Sequence, residues 1–396
     1  MKVVYNILHV WYEELVEVFK DRGILIFIIF VPIFYPLLYS YVYTNEVVRE
    51  VPTAVVDESD TGLSREFLRK VDSSPDVKII AYCSDMEEAR DMVRKQEVYG
   101  VIRIPCTFSE DISRGDQTSI GVYCDMSSML YYKAILLTTT NVSLAMNRDI
   151  KVERYIPSTT NHQDEVDKMP IDFAYIPLFN PQSGFASFLI PPVLMLIIQQ
   201  TLLLGIGMAT GRFRERNMGC VIPFSKYYKN PIIIVIGKML VFFLLYLVLS
   251  VYMFTYVNKA FALPHIGQYV TLMAFIVPFL LSCIFFAMVL SAFVYRREDC
   301  IMLFVFISVP LLFLSGVSWP GSAIPTFWKY FSYIFPSTFG MNGYVRINSM
   351  GSTLHDVAFE YHSLWIQTGL YFLLACLLYQ IQIKKLLKRF SSISSN

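Results

Sequence analysis

Residues 185–209, FASFLIPPVLMLIIQQTLLLGIGMA, run for 25 positions without a charged side chain, and the seven that follow, TGRFRER, hold three arginines and a glutamate. A bilayer core of about 30 Å takes roughly 20 mostly apolar residues of helix. The stretch therefore has the length of a membrane crossing and a charged terminus. Five more runs share this character: Ile24–Thr44, Ile232–Val257, Tyr269–Tyr295, Cys300–Trp319 and Ser363–Ile383. A core helix of a soluble protein is rarely apolar on every face for so long. The expected fold is a polytopic α-helical membrane protein with six transmembrane helices.

Of 396 residues, 55% are hydrophobic and 16% charged, against about a quarter charged in soluble domains. The net charge of +1 gives no global field to gather nucleic acid. With the N-terminus inside, the short cytosolic pieces hold 14 basic residues: Lys2, Lys20, Arg22, Arg212, Arg214, Arg216, Lys226, Lys229, Arg296, Arg297, Lys384, Lys385, Lys388 and Arg389. The short outer pieces, 258–268 and 320–362, hold only Lys259, Lys329 and Arg346. The positive-inside rule then puts both termini in the cytosol. The 22-residue lead before the first run has no small-residue cleavage site, so that run reads as a retained anchor. Within the lead, Val4, Ile7, Leu8, Trp11, Leu15, Val18 and Phe19 recur at helical spacing opposite Glu13, Glu14 and Glu17, the pattern of an interfacial helix over residues 1–23.

The polar stretch 45–184 falls between spans one and two, outside, and reads as an extracytoplasmic α/β domain. Strands are expected at Val51–Val56, Val77–Tyr82, Val98–Ile104 and Ser119–Cys124. Helices are expected near Leu63–Val71, over Asp85–Gln96 with Ser84 and Glu87 spaced as a capping box, near Ser109–Arg114, and from Ser127 to about Lys151. Residues 152–170 read as a loop or hinge and Ile171–Leu178 as a last strand. His162 and the acids Asp85, Glu87 and Glu88 form no catalytic arrangement. The seven cysteines contain no C-x-x-C pair. Cys83, Cys106 and Cys124 face an oxidising compartment, where one disulfide or three buried thiols are both open. The expected organisation is 1–23, interfacial helix; 24–44, span one; 45–184, inserted domain; 185–383, spans two to six; and 384–396, a basic tail.

Three parts of the chain carry a resemblance. In the loop between spans two and three, Arg214-Glu215-Arg216 precedes Gly219-Cys220, and Gly237-Lys238 opens the next span. Near the C-terminus come Leu314-Ser315-Gly316, Trp319-Pro320, Ile324-Pro325, Trp328, then Pro336-Ser337-Thr338. The order and placement of these motifs resemble type-2 ABC exporter permeases with a large extracytoplasmic insertion. Val51-Pro-Thr-Ala-Val-Val-Asp57 and Gly100-Val-Ile-Arg-Ile-Pro105 match the insertion. One departure is Cys220, where the family usually has threonine.

The resemblance implies a membrane subunit that couples ATP hydrolysis by a separate cytosolic ABC ATPase to export of drugs or other amphiphilic compounds. ATP and Mg would be bound by that partner, since this chain has no phosphate loop. The coupling loop, 210–231, would dock the ATPase through Arg212, Arg214, Glu215, Arg216, Gly219, Phe224, Tyr227 and Tyr228. Re-entrant outer helices are expected over 320–347, because Pro320, Pro325 and Pro336 forbid one continuous helix, with Trp319 and Trp328 at headgroup level. Gln199, Gln200 and Thr201 in span two and Ser308 and Ser315 in span five either line a pathway or join helices. Lys238 is expected to reach back to the inner interface. A second permease, copy or paralogue, would meet spans two and five. In a two-membrane bacterium the inserted domain would face a periplasmic adaptor and an outer-membrane duct, with the chain in the inner membrane. Export of lipid or polysaccharide and a membrane-anchored receptor or scaffold are the alternatives.

Overall fold

A computed structural model describes residues 2–154, 178–180, 184–216 and 230–394, without the side chains of 152–154, 303–305 and 386–394. The chain divides into two compact units, residues 1–46 with 177–396, and residues 47–176.

The helical unit begins with α1 (Lys2–Lys20) and α2 (Arg22–Val42). Asp21 separates them and caps α2 by accepting from the amides of Gly23 at 2.8 Å and Ile24 at 3.4 Å. A π turn over Ile26–Phe30 widens α2 just before Pro32 and Pro36.

The inserted unit follows as β1 (Val51–Asp57), α3 (Gly62–Asp72), β2 (Val77–Tyr82), α4 (Met86–Arg94), β3 (Gly100–Ile104), α5 (Phe108–Arg114), β4 (Gly121–Cys124) and α6 (Met129–Arg154). Its sheet runs β2-β1-β3-β4, parallel except for the antiparallel β3–β4 pair. The alternation of β1 decides the layering. Val51 and Val55 face Phe67, Leu68 and Val71 of α3 with Phe108 and Ile135, whereas Ala54 and Val56 face Ala89 of α4 and Val101. The sheet is thus covered on both faces, as its near-continuous apolar strands require.

Strand β2 has the expected bounds, while β3 and β4 each start two residues late, at Gly100 and Gly121. The expected capping box at Ser84 and Glu87 is corrected. Asp85 is the cap, accepting from Glu87 at 2.9 Å and Glu88 at 2.8 Å, and Glu88 reaches back to the Ser84 amide at 2.9 Å. A carboxylate there also meets the positive helix end, which a hydroxyl cannot do as a charge. Cys83, Cys106 and Cys124 are all free thiols, and burial pushes those of Cys83 and Cys124 up. All but the last residue of the expected strand at Ile171–Leu178, and all but the first residues of the expected hinge, lie outside the described residues.

The chain then returns to the helical unit as α7 (Phe185–Arg216), α8 (Pro231–Ala260), α9 (Tyr269–Ser291), α10 (Arg297–Leu314), α11 (Thr326–Ser332), α12 (Pro336–Met350) and α13 (Ala358–Ser394). Helix α7 is the centre, packed by α2, α9, α10 and α12, and buried along most of its length. Among the described residues, five helices are long and apolar enough to cross a membrane: α2, α7, α8, α9 and α13 to Lys385. The stretch expected at Cys300–Trp319 differs. Helix α10 opens on Arg297, Glu298 and Asp299 and stops at Leu314, because Gly316 takes a left-handed φ of 83° and turns the chain before Pro320.

Replacing Asp85 by alanine is expected to cost about 1 kcal/mol of local stability and to speed hydrogen exchange at the Glu87 and Glu88 amides. Ser84→Ala should leave both rates unchanged.

Candidate functional site

Arg212, Arg214, Glu215, Arg216, Gly237 and Lys238 gather at one end of the helical unit, where α1 lies on α8. The α1 face that packs inward is Val10, Glu14 and Val18, one residue per turn and all buried. Gly237 makes the crossing close: a Cβ there would stand 2.7 Å from Val10 Cγ1 and 3.2 Å from the Ile7 carbonyl. The next residue, Lys238, is buried with Glu14 and places its Nζ 2.9 and 3.0 Å from the two carboxylate oxygens. The same ammonium lies 4.9 Å from the centre of the Phe213 ring.

Two expectations are corrected here. Lys238 does not snorkel to the interface, and Glu14 is not on an outward polar face. Glycine 237 lets α1 approach so closely that Glu14 comes within contact of Lys238, and the pair replaces the water that each charge would otherwise need. The outward face of α1 carries Val4, Leu8, Tyr12 and Phe19 instead.

A second set of charges joins three chain segments. Asp21 accepts Arg212 at 3.1 Å and Arg297 at 3.1 Å. Arg297 also meets Glu215 at 3.1 Å, and Glu17 holds Arg216 at 3.2 Å. Arg212 further donates to the Glu17 carbonyl at 3.3 Å. Gly211 permits this convergence, since a Cβ would lie 3.2 Å from the Arg297 amide nitrogen. Arg214 points the other way and is buried. It donates to the carbonyls of Ala292 and Val294 past the end of α9 and lies over the Tyr295 ring. Those carbonyls have no helical partner, and a guanidinium fork satisfies two at once. Glu215 and Arg216 stay partly exposed, while Gly219, Phe224, Tyr227 and Tyr228 lie outside the described residues.

The polar residues of α7 have different roles. Gln199 Oε1 accepts from the Ser337 amide at 2.5 Å, in the first turn of α12, and lies 3.8 Å from the Cys283 thiol. It joins helices. Gln200 is buried with neither amide atom partnered among the described residues, and Gln199 Nε2 is likewise unpartnered there. Thr201 bonds back to the Ile197 carbonyl at 2.7 Å. Ser315 bonds back to Leu312 at 2.6 Å and its carbonyl receives Asn342 at 2.9 Å. Ser308 sits on α10, whose Met302, Phe306, Val309 and Phe313 form an exposed stripe.

The prolines break the chain as expected: Pro325 precedes α11 and Pro336 opens α12. Trp319 and Trp328 flank a groove of about 400 Å³ with Pro310, Phe313, Ile324 and Pro325.

Sequence reasoning missed Asp21 as a junction and the polar knot at the opposite end. There Asn348 Oδ1 lies 2.6 Å from His265 Nδ1, and the Asn348 amide donates to the Pro264 carbonyl at 3.0 Å. For Asp21 the signal was present: an acid just before a helix start, ahead of an apolar run. Among the described residues, no three His, Cys, Asp or Glu side chains are grouped as metal ligands. The arrangement is mechanical: it fixes α1, α7, α8 and α10 to one another.

Glu14→Gln or Lys238→Met alone leaves one buried charge and is expected to cost about 3–5 kcal/mol. The pair Glu14→Leu with Lys238→Met should be close to neutral. Thermal unfolding of the purified variants in detergent checks both.

The family described as ABC-2 family transporter protein matches residues 22–377. No curated protein matches the chain. The family match takes in α2, the inserted unit and the helices through about the first half of α13. The chain belongs to the ABC-2 family of transporters and is the membrane subunit of an ABC transporter, a multi-pass protein whose ATPase partner is a separate subunit.

Proposed function

We propose that this subunit serves an ATP-driven exporter of drugs or other amphiphilic compounds in the inner (plasma) membrane of a bacterial cell. Both termini and the ion-paired end lie in the cytosol, and the inserted unit lies outside. The observation that carries the reading is the convergence of α1, α7 and α10 on Asp21 and Glu17. The segment 217–229 leaves directly from Arg216, so a force applied there reaches three helices through ion pairs rather than one. Coupling between sites needs such a contiguous physical connection.

In this reading the ATPase binds ATP and Mg and docks on 210–231, with Phe224, Tyr227 and Tyr228 as apolar anchors and Glu215 and Arg216 at the charged rim. A second permease, copy or paralogue, covers the exposed stripe of α10, and the unpartnered amide of Gln200 faces water in the pathway. The re-entrant helices α11 and α12 close the outer end. In a two-membrane cell the inserted unit meets a periplasmic adaptor and a duct.

Affinity purification of the tagged chain in mild detergent, with mass spectrometry and an ATPase assay, tests the assembly. A stoichiometric ATP-binding cassette subunit and ATP hydrolysis are expected. Repeated recovery of an intact dimer without one contradicts the reading and favours an anchored scaffold. Glu215→Lys with Arg216→Glu is expected to weaken ATPase recovery about tenfold, near 1.4 kcal/mol, and unchanged recovery would remove these residues from the contact.

A further inference from the structure

The inserted unit contains a cavity of about 690 Å³ between α3, α5, α6 and the chain leading into β4. Its size falls within the range of small-molecule sites, about 300–1,000 Å³. Helix α6 creates it. The first half of α6 seals against the sheet through Ile135, which is fully buried, whereas in the second half Met146 joins the buried cluster of Phe67 and Phe108 while Ser143, Asn147 and Lys151 border open space.

The lining is sorted by polarity. Phe67, Phe108 and Met146 make a buried apolar floor, extended by Ile112, Ile120 and Val122. Along α6, Thr139, Ser143, Asn147 and Lys151 follow at four-residue intervals, so they form one polar stripe. The stripe starts buried at Thr139 and ends exposed at Lys151, and Arg148 lies beside that end. Neither cation has an ion-pair partner among the described residues, although Asp149 between them is held by Lys70 at 3.1 Å. With Asp116 as the remaining charged lining residue, the sum is two positive and one negative, a net +1.

We infer that this cavity binds an anionic amphiphile, with its phosphate or carboxylate at Arg148 and Lys151 and its apolar chain on Phe67, Phe108 and Met146. A fully apolar ligand would leave the hydroxyl stripe facing hydrocarbon. A small hydrophilic anion would leave the aromatic floor wet. Only a molecule with both parts satisfies both ends of the lining. Two sources supply that chemistry: a membrane phospholipid and a free single-chain amphiphile.

The test uses the full chain in nanodiscs, without ATP or an ATPase, so its result is independent of the transport reading. Two photoreactive probes are compared, a diazirine-bearing dodecyl phosphate and a diazirine-bearing phosphatidylglycerol, and labelled peptides are mapped by mass spectrometry. Labelling of peptides covering 139–151 and 108–122 by either probe is expected, and the probe that labels identifies the source. Arg148→Glu with Lys151→Glu should lower that labelling at least tenfold while labelling of the membrane helices persists. Ser143→Trp, which obstructs the cavity and keeps both cations, should lower it as well. Absence of labelling there with both probes overturns the proposal, as does labelling that either variant leaves unchanged.

Discussion

Hydrocarbon offers no hydrogen bonds, so a polar group that the helical unit carries into the bilayer must be answered from within the protein or by water that the protein encloses. Glu14 answers Lys238, the open carbonyls at the end of α9 receive Arg214, and the first turn of α12 receives Gln199. Each of these pairs joins segments far apart in sequence. The constraint that makes charge costly in a membrane thereby makes it a fastener between helices. A buried ion pair is weak evidence of net stability, because removing both charges is often neutral. What the Glu14–Lys238 pair supplies is position: it fixes which turn of α1 lies on α8, at the one place where Gly237 lets the helices touch.

The two units solve different problems. The inserted unit is built on a mostly parallel sheet buried on both faces, and its surface pairs, such as Arg103 with Glu58 at 2.9 Å, lie in solvent, where such contacts contribute little. The helical unit instead concentrates its charge at one end, where Asp21 alone serves as a helix cap and as the partner of two arginines. Loss of that carboxylate would remove the α2 cap and one tie each to α7 and α10, leaving Glu215 with Arg297 and Glu17 with Arg216 to hold the rest. This asymmetry suits a machine driven from one side.

What was legible in the sequence followed from local periodicity. Five of the six long apolar runs are helices long and apolar enough to cross a membrane, and the pattern in Val77–Tyr82 gave β2 at its observed bounds. The Gly-Lys pair at 237–238 marked an important place, but its physics was hidden. Nothing local pairs Glu14 with a residue 224 positions away, and the pattern of α1 put Glu14 outward because Val4, Leu8 and Phe19 made the more obvious apolar face. In the same way, the left-handed Gly316 that ends α10 early depends on the fold around it, not on the apolar run that continues past it. The glutamines of α7 were readable as polar groups needing company. Which of the two joins helices was decided only by where α12 begins.

The most direct test of the account is transport itself. The chain, purified with its ATPase and reconstituted into liposomes, is supplied with an amphiphilic fluorescent dye and ATP on the side where the ATPase is exposed. Dye is expected to accumulate inside the vesicles only while ATP is hydrolysed, and vanadate to stop accumulation and hydrolysis together. Robust ATP hydrolysis with dye distributions identical in the presence and absence of ATP, for every amphiphile tried, would contradict the exporter reading.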